Sequence, residues 1–200
     1  MNVAVFGSGR GSNFQAILAA IKEGRVEGVT ISLVLSNNST SGILEIARAN
    51  AIPAFHISQK HFSSEGQYAD AMLALLAAHA VEVIVLAGFM KKIPPRLINA
   101  FPGRIINIHP ALLPKYGGAG MFGRHVHEAV LAAGEHESGA TVHVVDEEYD
   151  HGKILVQEKV PVMAGDTPDS LAARVLGAEH RILPEALHRL AASMHKGVQQ

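Results

Sequence analysis

The chain has 200 residues, 48% of them hydrophobic and 18% charged, which favours one globular domain over residues 1–200 and excludes a disordered protein. Its formal net charge of -1 excludes a general electrostatic attraction to nucleic acid or anionic lipid, and its lack of cysteine excludes disulfides, thiol nucleophiles and thiolate metal sites. Because no apolar run approaches the ~20 residues of a membrane span and the chain opens on a strand pattern without a cleavable leader, we expect a cytoplasmic location.

In the first half of the chain, short apolar runs alternate with segments of helical periodicity. Strands that are apolar on both faces and alternate with helices are typical of a parallel sheet covered by helices. The pattern predicts strands over residues 2–6, 30–35, 53–57, 81–87 and 104–108, and helices over 14–21, 43–50, 68–79 and 94–101.

The second half predicts a different organisation. Residues 112–123 are rich in Gly and Pro and predict a loop, followed by a helix over 126–133. Strand patterns at 141–145 and 154–160 lie too close for a helical crossover, so we expect an antiparallel hairpin. A long helix over 170–192, kinked at Pro184, ends the pattern. The predicted fold class is α/β, a single doubly wound, mostly parallel, Rossmann-like sheet with an antiparallel C-terminal hairpin extension.

A glycine-rich turn, Gly7-Ser8-Gly9-Arg10-Gly11-Ser12-Asn13, joins the first strand to the first helix. Backbone N–H groups in such a turn, with the positive end of the helix, favour a phosphate group. Ser12 replaces the third glycine of the dinucleotide fingerprint, no acid follows the second strand, and a Walker lysine is absent, so both of those nucleotide sites are excluded. The structural alternative is a tight turn with Ser12 as the helix N-cap.

Asn107 and His109 stand at the end of the fifth predicted strand, before Pro110. Side chains alternate along a strand, so the two point to the same side, at the edge where open α/β sheets bind ligands. An amide N–H and an imidazole can together stabilise the oxyanion of acyl transfer, and no G-x-S-x-G nucleophile accompanies them. The pair therefore indicates direct transfer between two bound substrates, with a hydrogen-bonded structural pair as the alternative. A carboxylate from the acidic stretch 146–150 would raise the pKa of His109, but the spacing does not choose among its acids.

Several motifs together carry a resemblance that covers residues 2–188. They are Gly11-Ser12-Asn13, Leu86-Ala87-Gly88-Phe89-Met90, Asn107-Ile108-His109-Pro110, Leu112-Leu113-Pro114-Lys115, the segment 139–152 with its Asp150-x-Gly152 ending, Ala164-Gly165-Asp166-Thr167 and Glu179-His180. On these motifs the chain resembles the phosphoribosylglycinamide formyltransferase family, folate-dependent enzymes with a Rossmann-like formyltransferase fold. The resemblance implies transfer of the formyl group of 10-formyltetrahydrofolate, a cosubstrate, to the amine of glycinamide ribonucleotide, the third step of de novo purine biosynthesis.

The resemblance also implies roles for individual residues. Catalysis would fall to Asn107, His109 and Asp150, with His143 in a supporting position. Glycinamide ribonucleotide would contact Gly11, Ser12, Asn13 and Glu179. The folate pocket would be lined by Met90, Lys91, Lys92, Ile93, Asn107, Asp146, Glu147, Glu148, Tyr149 and Asp150.

Two loops depart from the family pattern. The loop after Phe62 lacks the basic residue that family members often place near the substrate phosphate, and Lys60 or Arg10 is expected to replace it. The loop 116–123 is longer than in the shorter family form. It gates the site, contacts the ribose or is a tolerated surface insertion.

Two related enzymes share the Asn-x-His and Asp-x-Gly elements. Formyltetrahydrofolate deformylase adds an N-terminal regulatory module, and methionyl-tRNA formyltransferase adds a C-terminal RNA-binding domain. The resemblance begins at Asn2 and leaves twelve residues after His188, so we expect neither addition. A non-catalytic nucleotide-binding domain is a further alternative, against which the Asn107–His109 pair argues.

The twelve histidines raise the question of a metal site. The best candidates are His125 with His127 and His143 with His151, but Leu131 stands where the H-E-x-x-H motif needs its second histidine. We therefore expect no metal. The expected partners are small-molecule substrates, without nucleic acid or membrane, and both a monomer and a homodimer are compatible with the sequence.

Overall fold

The computed structural model describes residues 1–197, so the last three residues of the predicted domain lie outside the described part. The strands of this part are β1 (Asn2–Phe6), β2 (Thr30–Ser36), β3 (Ala54–His56), β4 (Val83–Leu86), β5 (Ile105–His109), β6 (Glu137–Val144) and β7 (Ile154–Pro161). The helices are α1 (Ser12–Lys22), α2 (Gly42–Ala49), α3 (Glu65–Ala78), α4 (Pro95–Ala100), α5 (Arg124–Ala132) and α6 (Pro168–Gly197).

All these strands belong to one sheet, in the order β3-β2-β1-β4-β5-β6-β7. The first five run parallel, whereas β6 is antiparallel to β5 and β7 is antiparallel to β6. The strand order reverses between β1 and β4, which is the point where open α/β sheets form a ligand crevice. The predicted α/β class, the doubly wound parallel sheet and the antiparallel hairpin are confirmed.

Two apolar layers pack on opposite faces of the sheet. In β1, Val3 and Val5 contact one layer while Ala4 and Phe6 contact the other, because successive side chains point to opposite faces. Helices α1, α2, α5 and α6 complete the first layer, and α3 and α4 complete the second. Both faces are thus covered, so the parallel strands appear in the sequence as unbroken apolar runs.

The structure differs from the predicted elements in three places. Strand β6 begins at Glu137, four residues before the predicted start at 141, because Ser138 and Gly139 pair with β7 although neither has a side chain typical of strands. A short 3-10 helix, Gln59–His61, lies where no element was predicted. Pro184 lies inside α6, which continues on both sides of it.

None of the helices within residues 1–197 combines the length and the apolar character that a passage through a lipid bilayer requires.

Thr141 joins the segment after β5 to the hairpin. Its side chain is fully buried, and its Oγ1 donates to the Ala111 carbonyl at 2.6 Å. The same oxygen accepts from the Leu113 N–H at 3.2 Å and from Gln157 Nε2 at 2.8 Å. The chain immediately beyond His109 is therefore fixed by one buried hydroxyl.

We predict that Thr141→Val lowers the free energy of unfolding by about 2 kcal/mol, because the buried Leu113 N–H loses its acceptor and the buried Ala111 carbonyl loses its donor. Urea unfolding of the purified variant measures this change. Thr30→Val, at an exposed strand position, is the matched control and should change stability by less than about 0.5 kcal/mol. Equal stability of the two variants would contradict the role assigned to Thr141.

Candidate active site

A cavity of about 850 Å³ opens at the carboxyl ends of β1, β4 and β5. Its walls come from the loops after these strands, from β6, from the acidic loop after β6 and from α6. Every residue predicted for the site lines it except Gly11 and Ser12, which lie beside Asn13, a residue that does. The sheet thus brings together segments that are distant in the sequence.

Asn107 is oriented by the neighbouring antiparallel strand. The register of β5 and β6 sets Asn107 opposite His143, and Asn107 Nδ2 donates to His143 Nε2 at 3.1 Å. His143 Nδ1 donates to the Val144 carbonyl at 2.9 Å, which leaves Nε2 as the acceptor. Because the amide nitrogen carries two protons, the second N–H of Asn107 can serve a ligand in the cavity.

Asp150 is the acid that reaches His109. Its Oδ2 lies 3.5 Å from His109 Nδ1, its Oδ1 lies 3.4 Å from His143 Nε2, and Oδ2 also accepts from the Gly118 N–H at 2.9 Å. The residue has a positive φ of 57°, a conformation uncommon for a residue with a side chain. Asn107, His109, His143 and Asp150 therefore form one contiguous cluster.

The buried imidazole of His109 faces two oxygen acceptors. Its Nε2 donates to the Tyr116 carbonyl at 2.8 Å, and its Nδ1 points towards Asp150. Burial lowers the pKa of His109, and this effect outweighs the charge of Asp150 and the bond to Tyr116, which raise it. The predicted contribution of a nearby carboxylate, which raises the pKa, is confirmed for Asp150, but burial outweighs it.

Asp150 itself stays ionised. Burial raises the pKa of its carboxyl, but the contact with His143 when that ring is protonated, the charge of protonated His109 and the Gly118 N–H together hold that pKa below its usual value. A carboxylate is thus fixed beside a buried histidine whose pKa lies below its usual value.

The cavity contains a second buried polar pair, which lies outside this cluster. Asn13 Nδ2 donates to Glu179 Oε2 at 2.6 Å, and Glu179 is only 9% exposed. Burial raises the pKa of Glu179 more than the Asn13 amide lowers it. Asn13 Oδ1 is buried and has no hydrogen-bond partner among the described residues. The pair joins α1 to α6 at this end of the cavity.

The glycine-rich turn begins α1 differently from the predicted cap. Gly11, not Ser12, occupies the N-cap position, and no side chain caps the helix. Gly11 has a φ of 86°, and a Cβ there would approach Ile43 Cα to 2.9 Å, so only glycine fits. The prediction of Ser12 as N-cap is wrong because the close approach of α2 places a left-handed glycine at that position.

The basic side chain beside this turn is Arg10. It lines the cavity, and no acidic residue of the described chain pairs with it in an ion pair. Lys60 lies outside the cavity. Of the two expected replacements for the missing basic residue, the structure therefore places only Arg10 at the site.

The cavity wall at the other side is partly apolar and exposed. Met90 and Tyr149 are 52% and 51% exposed, and Lys92 Nζ lies 5.5 Å from the centre of the Tyr149 ring. The other residues predicted for this wall and placed here are Lys91, Ile93, Asp146, Glu147 and Glu148.

Sequence reasoning missed three contributors to the site. The Tyr116 carbonyl and the Gly118 N–H are backbone groups, and no pattern of side chains predicts such contacts. His127 lines the cavity at 5% exposure, and its Nδ1 has no partner among the described residues. The sequence allows a gate, a ribose contact or a surface insertion for the loop 116–123, and the structure places Gly118 to Gly123 in the cavity wall.

No group of three or more His, Asp or Glu side chains within residues 1–197 is arranged to hold a metal ion. Two of the predicted candidates make ion-pair contacts instead, His125 Nδ1 at 3.4 Å from Glu128 and His151 Nδ1 at 3.5 Å from Asp146.

Comparison with known proteins gives consistent matches. The Formyl transferase family matches residues 1–187. The chain is 46% identical over 186 residues to the chloroplastic phosphoribosylglycinamide formyltransferase of Arabidopsis thaliana, covering 92% of this chain and 63% of that protein. It is 41% identical over 184 residues to the phosphoribosylglycinamide formyltransferase of Escherichia coli strain K12, covering 92% and 84%. The chain thus spans less than two thirds of the length of the plant relatives it matches.

The fold is also similar to that of a solved structure. Glycinamide ribonucleotide transformylase 1 from Symbiobacterium toebii superposes with a TM-score of 0.90 at 36% identity, covering 96% of this chain and 88% of that one.

We predict that Asp150→Asn lowers the pKa of His109 further, because the charge of Asp150 raises that pKa and burial would then act with less opposition. A titration of the His109 ring followed by NMR measures the change. Glu148→Gln neutralises an exposed acid of the same loop and should leave the titration unchanged. A higher pKa in Asp150→Asn would contradict the electrostatic account.

Proposed function

Because the chain belongs to the formyl transferase family, we propose that it transfers the formyl group of 10-formyltetrahydrofolate to the amine of glycinamide ribonucleotide. The observation that carries the proposal is the cluster of Asn107, His109 and Asp150 inside one cavity, between a polar end and a partly apolar wall. The names of the Arabidopsis and Escherichia coli relatives support the same activity.

In this proposal the nucleotide occupies the polar end. The phosphate lies at the start of α1, over Gly11, Ser12 and Asn13, where backbone N–H groups and the helix dipole favour an anion. Arg10 supplies the positive side chain. Glu179, which is bonded to Asn13, accepts from hydroxyl or amine groups of the same substrate.

The folate occupies the other side of the cavity. Met90, Ile93 and Tyr149 offer apolar surface to the pterin ring, and the acidic loop 146–150 offers hydrogen-bond acceptors. Lys91 and Lys92 are exposed at the rim and suit the negative glutamate tail.

The chemistry is a direct displacement at the formyl carbon. The neutral amine attacks, a C–N bond forms, and negative charge collects on the formyl oxygen. Asn107 donates its second N–H to that oxygen, and His109 donates from Nδ1. The developing anion, like Asp150, raises the pKa of the imidazole. The bond to the folate nitrogen then breaks, and the proton lost by the amine passes to that nitrogen, through a water held by Asp150.

The deformylase is the alternative with the same catalytic elements. A deformylase transfers the formyl group to water, so it would not need a site for an anionic second substrate. The free Arg10, the glycine-rich turn at α1 and the buried Asn13–Glu179 pair all favour an anionic second substrate. These features support transfer over hydrolysis.

We predict that His109→Ala lowers kcat by at least about a hundredfold, because oxyanion stabilisation and proton transfer both need the imidazole. Absorbance of the folate product, measured with and without glycinamide ribonucleotide, provides the rate. His61→Ala, a surface histidine outside the cavity, serves as control and should keep the wild-type rate. Product formation that does not require the amine would identify a deformylase instead.

We predict that Arg10→Met raises KM for glycinamide ribonucleotide about tenfold and changes kcat little, because a phosphate contact away from the reacting atoms contributes to uniform binding. Steady-state kinetics with the nucleotide varied tests this. Lys60→Met is the matched control. A larger KM increase in Lys60→Met than in Arg10→Met would overturn the assignment.

A further inference from the structure

The backbone of residues 116–118 contacts both His109 and Asp150. The Tyr116 carbonyl accepts from His109 Nε2 at 2.8 Å, and the Gly118 N–H donates to Asp150 Oδ2 at 2.9 Å. Gly117 lies between them, so close to Asp150 that a Cβ on Gly117 would be 3.1 Å from the Asp150 Cβ. The position of this short segment therefore fixes the imidazole and the carboxylate together.

The conformation that presents the Tyr116 carbonyl to His109 is unusual. Tyr116 has a φ of 58°, in the left-handed region that residues with a side chain rarely adopt. Such a backbone persists only where the surrounding structure holds it. The contacts of the Tyr116 side chain therefore bear on the geometry of His109.

The Tyr116 side chain is held from outside the cavity. Its hydroxyl donates to Glu135 Oε1 at 2.9 Å, just after α5, and the ring packs against the first apolar layer. Lys115 Nζ donates to the same Glu135 oxygen at 2.8 Å from an exposed position. Neither Glu135 nor Tyr116 lines the main cavity.

We propose that the Tyr116–Glu135 hydrogen bond is a positioning contact for formyl transfer. It holds the Tyr116 backbone so that the carbonyl stays on His109 and the Gly118 N–H stays on Asp150. Tyr116 and Glu135 act through these two residues and touch neither substrate. The kinetic part of the inference rests on the proposed function, whereas the effect on the surroundings of His109 does not.

A direct electrostatic effect of Glu135 on His109 is a different explanation. The charged or titratable groups that act on His109 are Asp150, His143 and His127, and Glu135 is not one of them. The variant Glu135→Gln distinguishes the two explanations. It removes the charge of Glu135 but keeps an amide oxygen that can accept from the Tyr116 hydroxyl.

The test compares four single variants and one double variant. Tyr116→Phe removes only the hydroxyl, and Glu135→Leu removes the acceptor. Glu135→Gln is the conservative rescue. Lys115→Met is the matched control, since it breaks the exposed ion pair to the same Glu135 oxygen. Circular dichroism establishes that each variant is folded. NMR follows the titration of His109, and steady-state kinetics gives kcat and KM for both substrates.

We expect kcat to fall about tenfold in Tyr116→Phe and in Glu135→Leu, with KM within about twofold of wild type, because the substrate contacts are unchanged while the reacting groups shift. In both variants His109 should titrate at lower pH, since the bond to the Tyr116 carbonyl favours the protonated ring. Glu135→Gln and Lys115→Met should stay close to wild type. The double variant Tyr116→Phe with Glu135→Leu should be no worse than either single variant.

An unchanged His109 titration in Tyr116→Phe overturns the proposal. So does a Glu135→Gln variant as impaired as Glu135→Leu, because the effect would then be one of charge. If the wild-type protein shows no formyl transfer, the proposed function fails, and the His109 titration still decides whether Tyr116 and Glu135 position the imidazole.

Discussion

The site depends on one constraint, the antiparallel pairing of β6 with β5 at the edge of an otherwise parallel sheet. The register sets His143 opposite Asn107 and Thr141 opposite His109, so one strand orients the amide and anchors the chain beyond the imidazole. The connection from β6 to β7 is too short to leave this region, and Asp150 in it contacts both histidines. A parallel strand at this place would need a long crossover and would offer none of these contacts.

This constraint creates an unusual environment for His109. Both ring nitrogens face oxygen atoms, an arrangement that only the protonated ring satisfies completely, while burial favours the neutral ring. Burial is the larger of the two effects, so the pKa of His109 lies below its usual value. A negative charge that develops beside it then adds to the effect of Asp150 and favours the imidazolium. The ring that carries a proton on both nitrogens is therefore favoured in the course of the reaction that it is proposed to assist.

The parallel part of the sheet could be predicted from the sequence because helices cover both of its faces, so its strands are apolar on both sides. β1 and β4 carry unbroken apolar runs, and the polar pair Asn107 and His109 stands out at the end of the otherwise apolar β5. The start of β6 could not be predicted, since Ser138 and Gly139 join the ladder through their backbones alone. The choice of Asp150 among the acids came from family resemblance, because spacing does not determine how a loop folds back.

Contacts made by the backbone could not be predicted from the sequence either. The Tyr116 carbonyl and the Gly118 N–H belong to groups that every residue carries, so their role depends on conformation and not on residue type. The left-handed φ of Tyr116 has no sequence signal, since a glycine would be the expected residue at such a position. The net direction of the His109 pKa could not be predicted for a related reason, because the extent of burial is a property of the packed structure.

Two parts of the cavity offer different kinds of contact, and this difference predicts which substrate is selected more strictly. At the polar end, Asn13 and Glu179 are buried and already bonded to each other, so a ligand that lacks matching groups leaves buried polar atoms unpaired. At the opposite wall, Met90, Phe122 and Tyr149 are more than half exposed and gain mainly from the removal of apolar area from water. The first kind of contact discriminates between ligands, whereas the second tolerates variation. In the proposed reaction, strict selection therefore falls on the acceptor amine, and the formyl donor is the substrate whose structure can vary.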